Sequence, residues 1–152
     1  RFSYYPQFVL GFIFNWGVFI GYLSSNQIID EKIMLLYFAG VFLTISYDTI
    51  YGFQDIEDDK KIGVKSFSIL IEKKAVFFIA LTYFISFFLF CLFFFLFYEN
   101  LIFNIVSCLL IFSFLLIQVI EFIKKKSLLK IFKSNVIYGG IISVIIYIGN
   151  YL

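Results

Sequence analysis

Apolar residues run almost unbroken along this chain, and polar ones gather in short clusters between the runs. A helix needs about 20 mostly apolar residues to cross about 30 Å of hydrocarbon. Five segments approach or reach that length, at about 7–23, 33–53, 75–97, 101–121 and 135–150. Pro6 suits the first turn of the first segment, where its missing N–H costs nothing. Ser24, Ser25, Asn26 and Gln27 separate the first two segments, Glu99-Asn100 forms a tight turn between the third and fourth, and 124–134 separates the last two. The pattern predicts an all-α transmembrane helical bundle with five spans, one membrane domain over 1–152, with no internal repeat and no linker to a second domain.

Composition agrees, since 62% of the 152 residues are hydrophobic and only 14% are charged, far from the balance of a soluble domain. The 24 Phe read as lipid-facing and packing material. Cys91 and Cys108 both fall in apolar runs and read as small buried hydrophobes rather than a disulfide or metal pair. Histidine is absent, so any acid, base or metal ligand must be a carboxylate, Lys, Tyr or backbone group. The chain starts without Met and without a signal-peptide pattern, and it is expected to be the back part of a longer protein.

Charge sets the expected orientation. Arg1, Lys60, Lys61, Lys65, Lys73, Lys74, Lys124, Lys125, Lys126, Lys130 and Lys133 fall on one side of the five-span arrangement, and Lys32 alone on the other. Cytoplasmic loops carry the excess of basic residues, which puts the larger group in the cytoplasm or its mitochondrial-matrix equivalent. Taken singly, most of these lysines need do no more than solvate their loops.

Half of the ten carboxylates lie within twelve positions of that side: Asp48, Asp55, Glu57, Asp58 and Asp59. Such a concentration beside a bilayer is costly unless hydrated, paired or metal-bound. On a continued helix at about 100° per residue, Asp55 and Asp59 flank Asp48 by about 20° each, and Glu57 points away. Tyr51 stands one turn before Asp55. Two carboxylates at i and i+4 can grip one hard cation without closing a cage, which suits Mg2+ completed by water and substrate phosphates. Lys60, Lys61 and Lys65 follow, loosened by Gly63, as point charges for phosphate oxygens. Read blandly, an acidic run followed by a basic run is a solvated loop.

The stretch Tyr47-Asp48-Thr49-Ile50-Tyr51-Gly52-Phe53-Gln54-Asp55-Ile56-Glu57-Asp58-Asp59, continuing through Lys65-Ser66, resembles the second aspartate-rich motif of the UbiA family of intramembrane prenyltransferases. Within that family it is most similar to the 4-hydroxybenzoate polyprenyltransferase branch. Arg1 to Gln7 resembles the basic, aromatic, Pro-Gln entry to the family's fifth helix, and Phe132-Lys133-Ser134-Asn135 resembles the lead-in to its last. The likeness runs over essentially the whole chain, which would be the C-terminal five of nine helices.

The resemblance implies transfer of a polyprenyl group from polyprenyl diphosphate to an aromatic acceptor, 4-hydroxybenzoate, in ubiquinone biosynthesis. It implies that Asp55 and Asp59 bind Mg2+ bridging to the diphosphate, that Lys65 and Lys61 contact phosphate oxygens, and that Tyr51 belongs to the same motif. Asp48 joins the substrate-binding set, and Arg1 is a partner for an acceptor carboxylate. The expected surroundings are a bacterial or mitochondrial inner membrane, with the lipid bilayer and the missing N-terminal helices as partners and no nucleic acid. The family's other aspartate-rich motif, of the NDxxD type, has no counterpart before Asp30. The expectation is therefore half a metal site and little or no prenyl transfer from this chain alone.

Other readings stay open. A family relative with a naphthoate, haem or chlorophyll-precursor acceptor has the same spacing. A transporter or channel fragment would use membrane-end acids to guide cations, although the third and fifth spans carry no acid and the fourth only Glu121. Asn15 reads as an interhelical hydrogen-bonding group and Trp16 as packing. Gly11, Gly17, Gly21, Gly139 and Gly140 read as positions of close helix approach.

Overall fold

The computed structural model describes residues 4–24 and 28–152. Its helices are α1 (Pro6–Phe14), α2 (Trp16–Leu23), α3 (Glu31–Gly52), α4 (Ile56–Ile62), α5 (Phe67–Ile71), α6 (Ala75–Phe97), α7 (Leu101–Ile123) and α8 (Leu128–Gly149), with a 3₁₀ turn over Glu72–Lys74. Among the described residues there is no strand. Five helical stretches are long and apolar enough to cross a membrane: Pro6–Leu23, Glu31–Gly52, Phe67–Phe97, Leu101–Ile123 and Leu128–Gly149.

Local chemistry sets several boundaries. Asp30 caps α3 by accepting from the Ile33 N–H at 3.1 Å, and Asn100 caps α7 by accepting from Phe103 N–H at 3.1 Å. Asn100 thereby turns the chain within three residues of the end of α6, as the Glu99-Asn100 pair predicts. The first span is not one rod. Its ladder is interrupted at Asn15, whose amide donates to Gly11 O at 2.8 Å and across to Thr44 Oγ1 at 3.0 Å. The last span starts at Leu128 rather than 135, so its linker shrinks to 124–127. Lys130 and Lys133 sit exposed on its first turns, where long stems can carry ammonium groups back to water.

The core lies where α3, α6, α7 and α8 meet, with Ile50, Ile79, Phe93, Phe94 and Ile111 all essentially inaccessible. The most apolar stretch of α3 is 56% buried against 11% for the first span, so α3 is the central helix. Its neighbour α6 approaches closely because small polar residues face each other. Ser46 Oγ hydrogen-bonds Thr82 Oγ1 at 2.7 Å, and Ser86 Oγ donates to Ala39 O at 2.8 Å. In hydrocarbon these short side chains satisfy one another while letting backbones come together. Gly11 has the close-packing role expected of it, since a Cβ there would lie 2.9 Å from Ile45 Cγ1. Gly17, Gly21, Gly139 and Gly140 do not, for a Cβ at each would meet nothing within 4 Å among the described residues.

The bundle has two chemically distinct ends. Lys32 lies near Tyr22, Phe93 and Tyr98, with its ammonium 5.1 Å from the centre of the Phe97 ring. The other described lysines lie at or near the opposite end, where Phe53, Glu72, Lys125 and Lys126 line a common crevice. Helix alternation carries that segregation from the sequence directly into space.

Candidate functional site

The central helix ends where its apolar run ends. Gly52 closes α3, Phe53–Asp55 form a turn, and α4 restarts at Ile56 with Asp55 as its N-terminal boundary residue. The expected continuous stripe through Asp48, Asp55 and Asp59 is therefore not one helix face. The reason is the weak helix propensity of Gly52 and the polar segment behind it, which has no apolar face to keep in line with α3. Within α4, Asp55 and Asp59 remain one turn apart, with the Asp59 N–H donating to Asp55 O at 2.8 Å.

The turn achieves by folding what the stripe would have done by continuity. Asp48, Tyr51 and Gly52 of α3, Asp55, and Asp59 of α4 line one cavity of about 210 Å³. Lys65 and Ser66 close it from beyond α4, and Pro6 and Gln7 from the first turn of α1. Gly63 makes this return possible. Its φ of 69° is left-handed, and its N–H donates to Lys60 O at 3.3 Å while the Val64 N–H donates to Asp59 O at 3.0 Å. This paired closure ends α4 and turns the chain, and Lys65, two residues on, lines the same cavity as the carboxylates.

Accessibility separates the members. Asp59 is buried at 6% exposure, whereas Asp55 is exposed at the mouth. Asp48 is half-buried inside a membrane-spanning helix and makes no ion pair or hydrogen bond among the described residues. Tyr51 stacks at a tilt on Phe132 of α8, with ring centres 4.6 Å apart. The Lys65 ammonium lies 5.7 Å from the Tyr4 ring centre.

Lys61 is elsewhere: it pairs with Asp58 at 3.0 Å on the solvent side, and both side chains are more than two-thirds exposed. Lys60 likewise bridges Glu72 at 2.6 Å and Glu57 at 3.6 Å, and the Glu72 hydrogen bond holds its amine above the ordinary lysine value. The bland reading of the acidic-basic run thus describes Glu57, Asp58, Lys60 and Lys61, while Asp55, Asp59 and Lys65 line the cavity. Arg1 lies outside the described residues. Cys91 and Cys108 are free thiols.

Sequence reasoning missed Gln7, Gly52 and Ser66. Gln7 is 7% exposed, and its Oε1 has no hydrogen-bond partner among the described residues. Its signal was available: a carboxamide on the first turn of an otherwise apolar span. The bare face of Gly52 carries no such signal, because its role depends on what packs there. A Cβ on Gly52 would lie 2.5 Å from Ser68 Oγ and 3.3 Å from Gln7 Nε2.

Among the described residues, the cavity is lined by three carboxylates, Asp48, Asp55 and Asp59, and one lysine, Lys65. Carboxylates by themselves repel an anion and attract a divalent cation. The oxygen-only donor set fits a hard cation. Among the described residues no group of three or more metal-ligating side chains converges, so the pair could hold only a cation whose remaining positions are filled by water or phosphate, as Mg2+ commonly is.

An all-helical membrane protein with an acidic, partly buried cavity at one end of its bundle is the class that the fold and site define. The chain belongs to the UbiA prenyltransferase family, whose profile matches residues 1–138. It is 47% identical over 76 residues to the mitochondrial 4-hydroxybenzoate polyprenyltransferase of Dictyostelium discoideum, covering 49% of this chain and 16% of that protein. Against the 4-hydroxybenzoate octaprenyltransferase of Pseudomonas fluorescens it is 44% identical over 70 residues, 46% of this chain and 24% of that one. Against the mitochondrial 4-hydroxybenzoate polyprenyltransferase of Homo sapiens it is 49% identical over 67 residues, 43% of this chain and 18% of that one. The matched segments thus span about a quarter or less of these relatives. No solved structure matches.

Proposed function

We propose that this chain is part of a prenyltransferase that moves a polyprenyl group from its diphosphate to an aromatic acceptor of the 4-hydroxybenzoate type, as its relatives' names describe for them. The observation that carries the reading is one cavity gathering Asp55, Asp59 and Lys65 at the end of a membrane bundle.

Asp55 and Asp59 would hold Mg2+, which when bound neutralises the charge that develops on a leaving diphosphate. Lys65, which lines the same cavity, supplies a further positive charge that can meet phosphate oxygens the carboxylates alone would repel. Burial of Asp59 excludes water from one side of that pair and strengthens its interactions. The break at Gly52 keeps the charged half of the site outside the hydrocarbon while Asp48 and Tyr51 remain within α3. A reaction between a lipid-borne donor and a water-borne acceptor needs such a boundary. The basic bias around the cavity end supports placing it in the cytoplasm or matrix. The absence of acids from α6 and α8 weighs against a transport pathway.

Binding of a non-hydrolysable polyprenyl thiodiphosphate to the purified chain in detergent or nanodiscs tests the reading. Binding should require Mg2+ and fall at least tenfold in Asp59→Asn, as expected when a charge-assisted contact is removed. Mg2+-independent binding, or binding indifferent to Asp55→Asn and Asp59→Asn, refutes it. Because the chain offers only one aspartate pair, transfer by it alone should be slight, and a clear transfer rate would overturn that expectation.

A further inference from the structure

The crevice beside the linker between α7 and α8 shares no lining residue with the acidic cavity. It encloses about 580 Å³, within the range of about 300–1,000 Å³ usual for ligand sites. Four helices meet there: Ile56 of α4, Val76 of α6, Phe122 of α7 and Leu128 of α8 supply an apolar floor. Phe122 and Leu128 stand at or next to the ends of membrane-crossing helices, so the floor lies where hydrocarbon gives way to water. Glu72, Lys125 and Lys126 supply its charged groups.

Two of those three already have partners. Glu72 is held by Lys60 at 2.6 Å, and Lys126 pairs with Glu121 at 3.0 Å. The Lys125 ammonium makes no ion pair or hydrogen bond among the described residues. Its backbone is nonetheless fixed: the Lys125 N–H donates to Phe122 O at 3.0 Å, and the Lys126 N–H donates to Glu121 O at 3.1 Å. The φ of Lys125 is 52°, the one left-handed value among the described non-glycine residues. Glycine fills such a helix-closing position without strain. Lysine fills it at a conformational cost of the kind that collects at functional sites.

An apolar floor beside an unpaired ammonium, at the rim of the bilayer and on its lysine-rich side, is complementary to a lipid with an anionic headgroup. A zwitterionic headgroup would bring a cation of its own against Lys125, and a soluble anion would leave the floor bare. We propose that this crevice binds an anionic phospholipid of the surrounding bilayer, with its phosphate on the Lys125 ammonium and the upper part of its acyl chains on the floor. Phe53 also lines the crevice and begins the turn that carries Asp55, so the lipid rests against the segment that joins α3 to α4. The proposal does not depend on the prenyltransferase reading.

The test titrates the full chain in detergent with dioleoyl phosphatidylglycerol and, separately, with dioleoyl phosphatidylcholine, counting bound lipid by native mass spectrometry. Wild type should hold phosphatidylglycerol about fivefold more tightly, the order expected of one lysine at an anionic headgroup. Lys125→Gln should abolish that preference. Lys125→Gly, which suits the left-handed backbone, should abolish it as well and carries the test if the glutamine variant does not fold. Lys130→Gln combined with Lys133→Gln removes two charges from the same end but outside the crevice, and should leave the preference within twofold of wild type. Millimolar inorganic phosphate should not displace the bound lipid. Equal binding of the two lipids by wild type, or preference retained in the folded Lys125 variants, overturns the proposal. An equal loss in the Lys130 and Lys133 double variant overturns it in favour of diffuse attraction, and displacement by inorganic phosphate overturns it in favour of a soluble-anion site.

Discussion

Replacing Gly52 by alanine places a methyl carbon 2.5 Å from Ser68 Oγ and 3.3 Å from Gln7 Nε2. The first distance is roughly 1 Å inside ordinary contact, well up the repulsive wall. Neither neighbour is a loose surface side chain: Ser68 is fully buried and Gln7 nearly so. Overpacking of this kind costs about 1–3 kcal/mol, and the gain from placing alanine in a helix is at most about 1 kcal/mol. The net loss should be about 1–2 kcal/mol, or about 3–6 °C in thermal midpoint for a chain of this size. The Ser68 hydroxyl is itself buried without a partner among the described residues, so Ser68→Ala removes both the clashing oxygen and an unsatisfied group. Melting the two single variants and the double variant in detergent closes a double-mutant cycle. The double variant should recover the wild-type midpoint. Gly52→Ala melting within 1 °C of wild type, or a double variant no better than the single, would refute the packing argument.

Gly63→Ala meets no steric obstacle, so its cost of about 1–2 kcal/mol is that of holding a β-carbon in the left-handed region; thermal melting should show it, with Gly63→Asn milder. Gln118 accepts from the Tyr83 hydroxyl and donates to Ser134 Oγ at 3.2 Å and Asn135 Oδ1 at 3.1 Å; Gln118→Leu should cost about 1.5–3 kcal/mol, and an unchanged midpoint would show that the hub carries no weight. The amine of Lys60 is held above 10.5 by its hydrogen bond to Glu72. That contribution is complete below 10.5, the ordinary lysine value, and is lost as pH rises through the higher folded value. A series of melts into the alkaline range should therefore fall more steeply for wild type than for Glu72→Gln.

The two halves of the carboxylate cluster show how far residue order alone reaches. Spacing put Asp55 and Asp59 one turn apart, and Gly63 marked the stop after them; both statements concern neighbours along the chain, where backbone geometry leaves little choice. Residue order also offered Lys60, Lys61 and Lys65 together as charges for phosphate oxygens. The sense in which the chain leaves the Gly63 turn decides between them, carrying Lys65 into the cavity and leaving Lys61 with Asp58 at the surface. Extrapolating α3 through Asp55 failed for a related reason. Helical periodicity holds only while a helix lasts, and Gly52 ends this one.

By itself the sequence determined the five apolar spans, the central place of an acidic segment at one bundle end, and the segregation of lysines from Lys32. These follow from hydropathy and alternation, which act residue by residue against the solvent. Only the tertiary structure decided that Gln7, more than forty residues earlier in the chain, approaches Gly52 and lines one cavity with Asp48. It likewise decided that Asn15 breaks its own helix to reach Thr44, and that Gly17 and Gly140 meet no neighbour among the described residues. Those outcomes depend on which helix packs against which and at what rotation. That choice is made by the fit of whole surfaces, and no local pattern contains it.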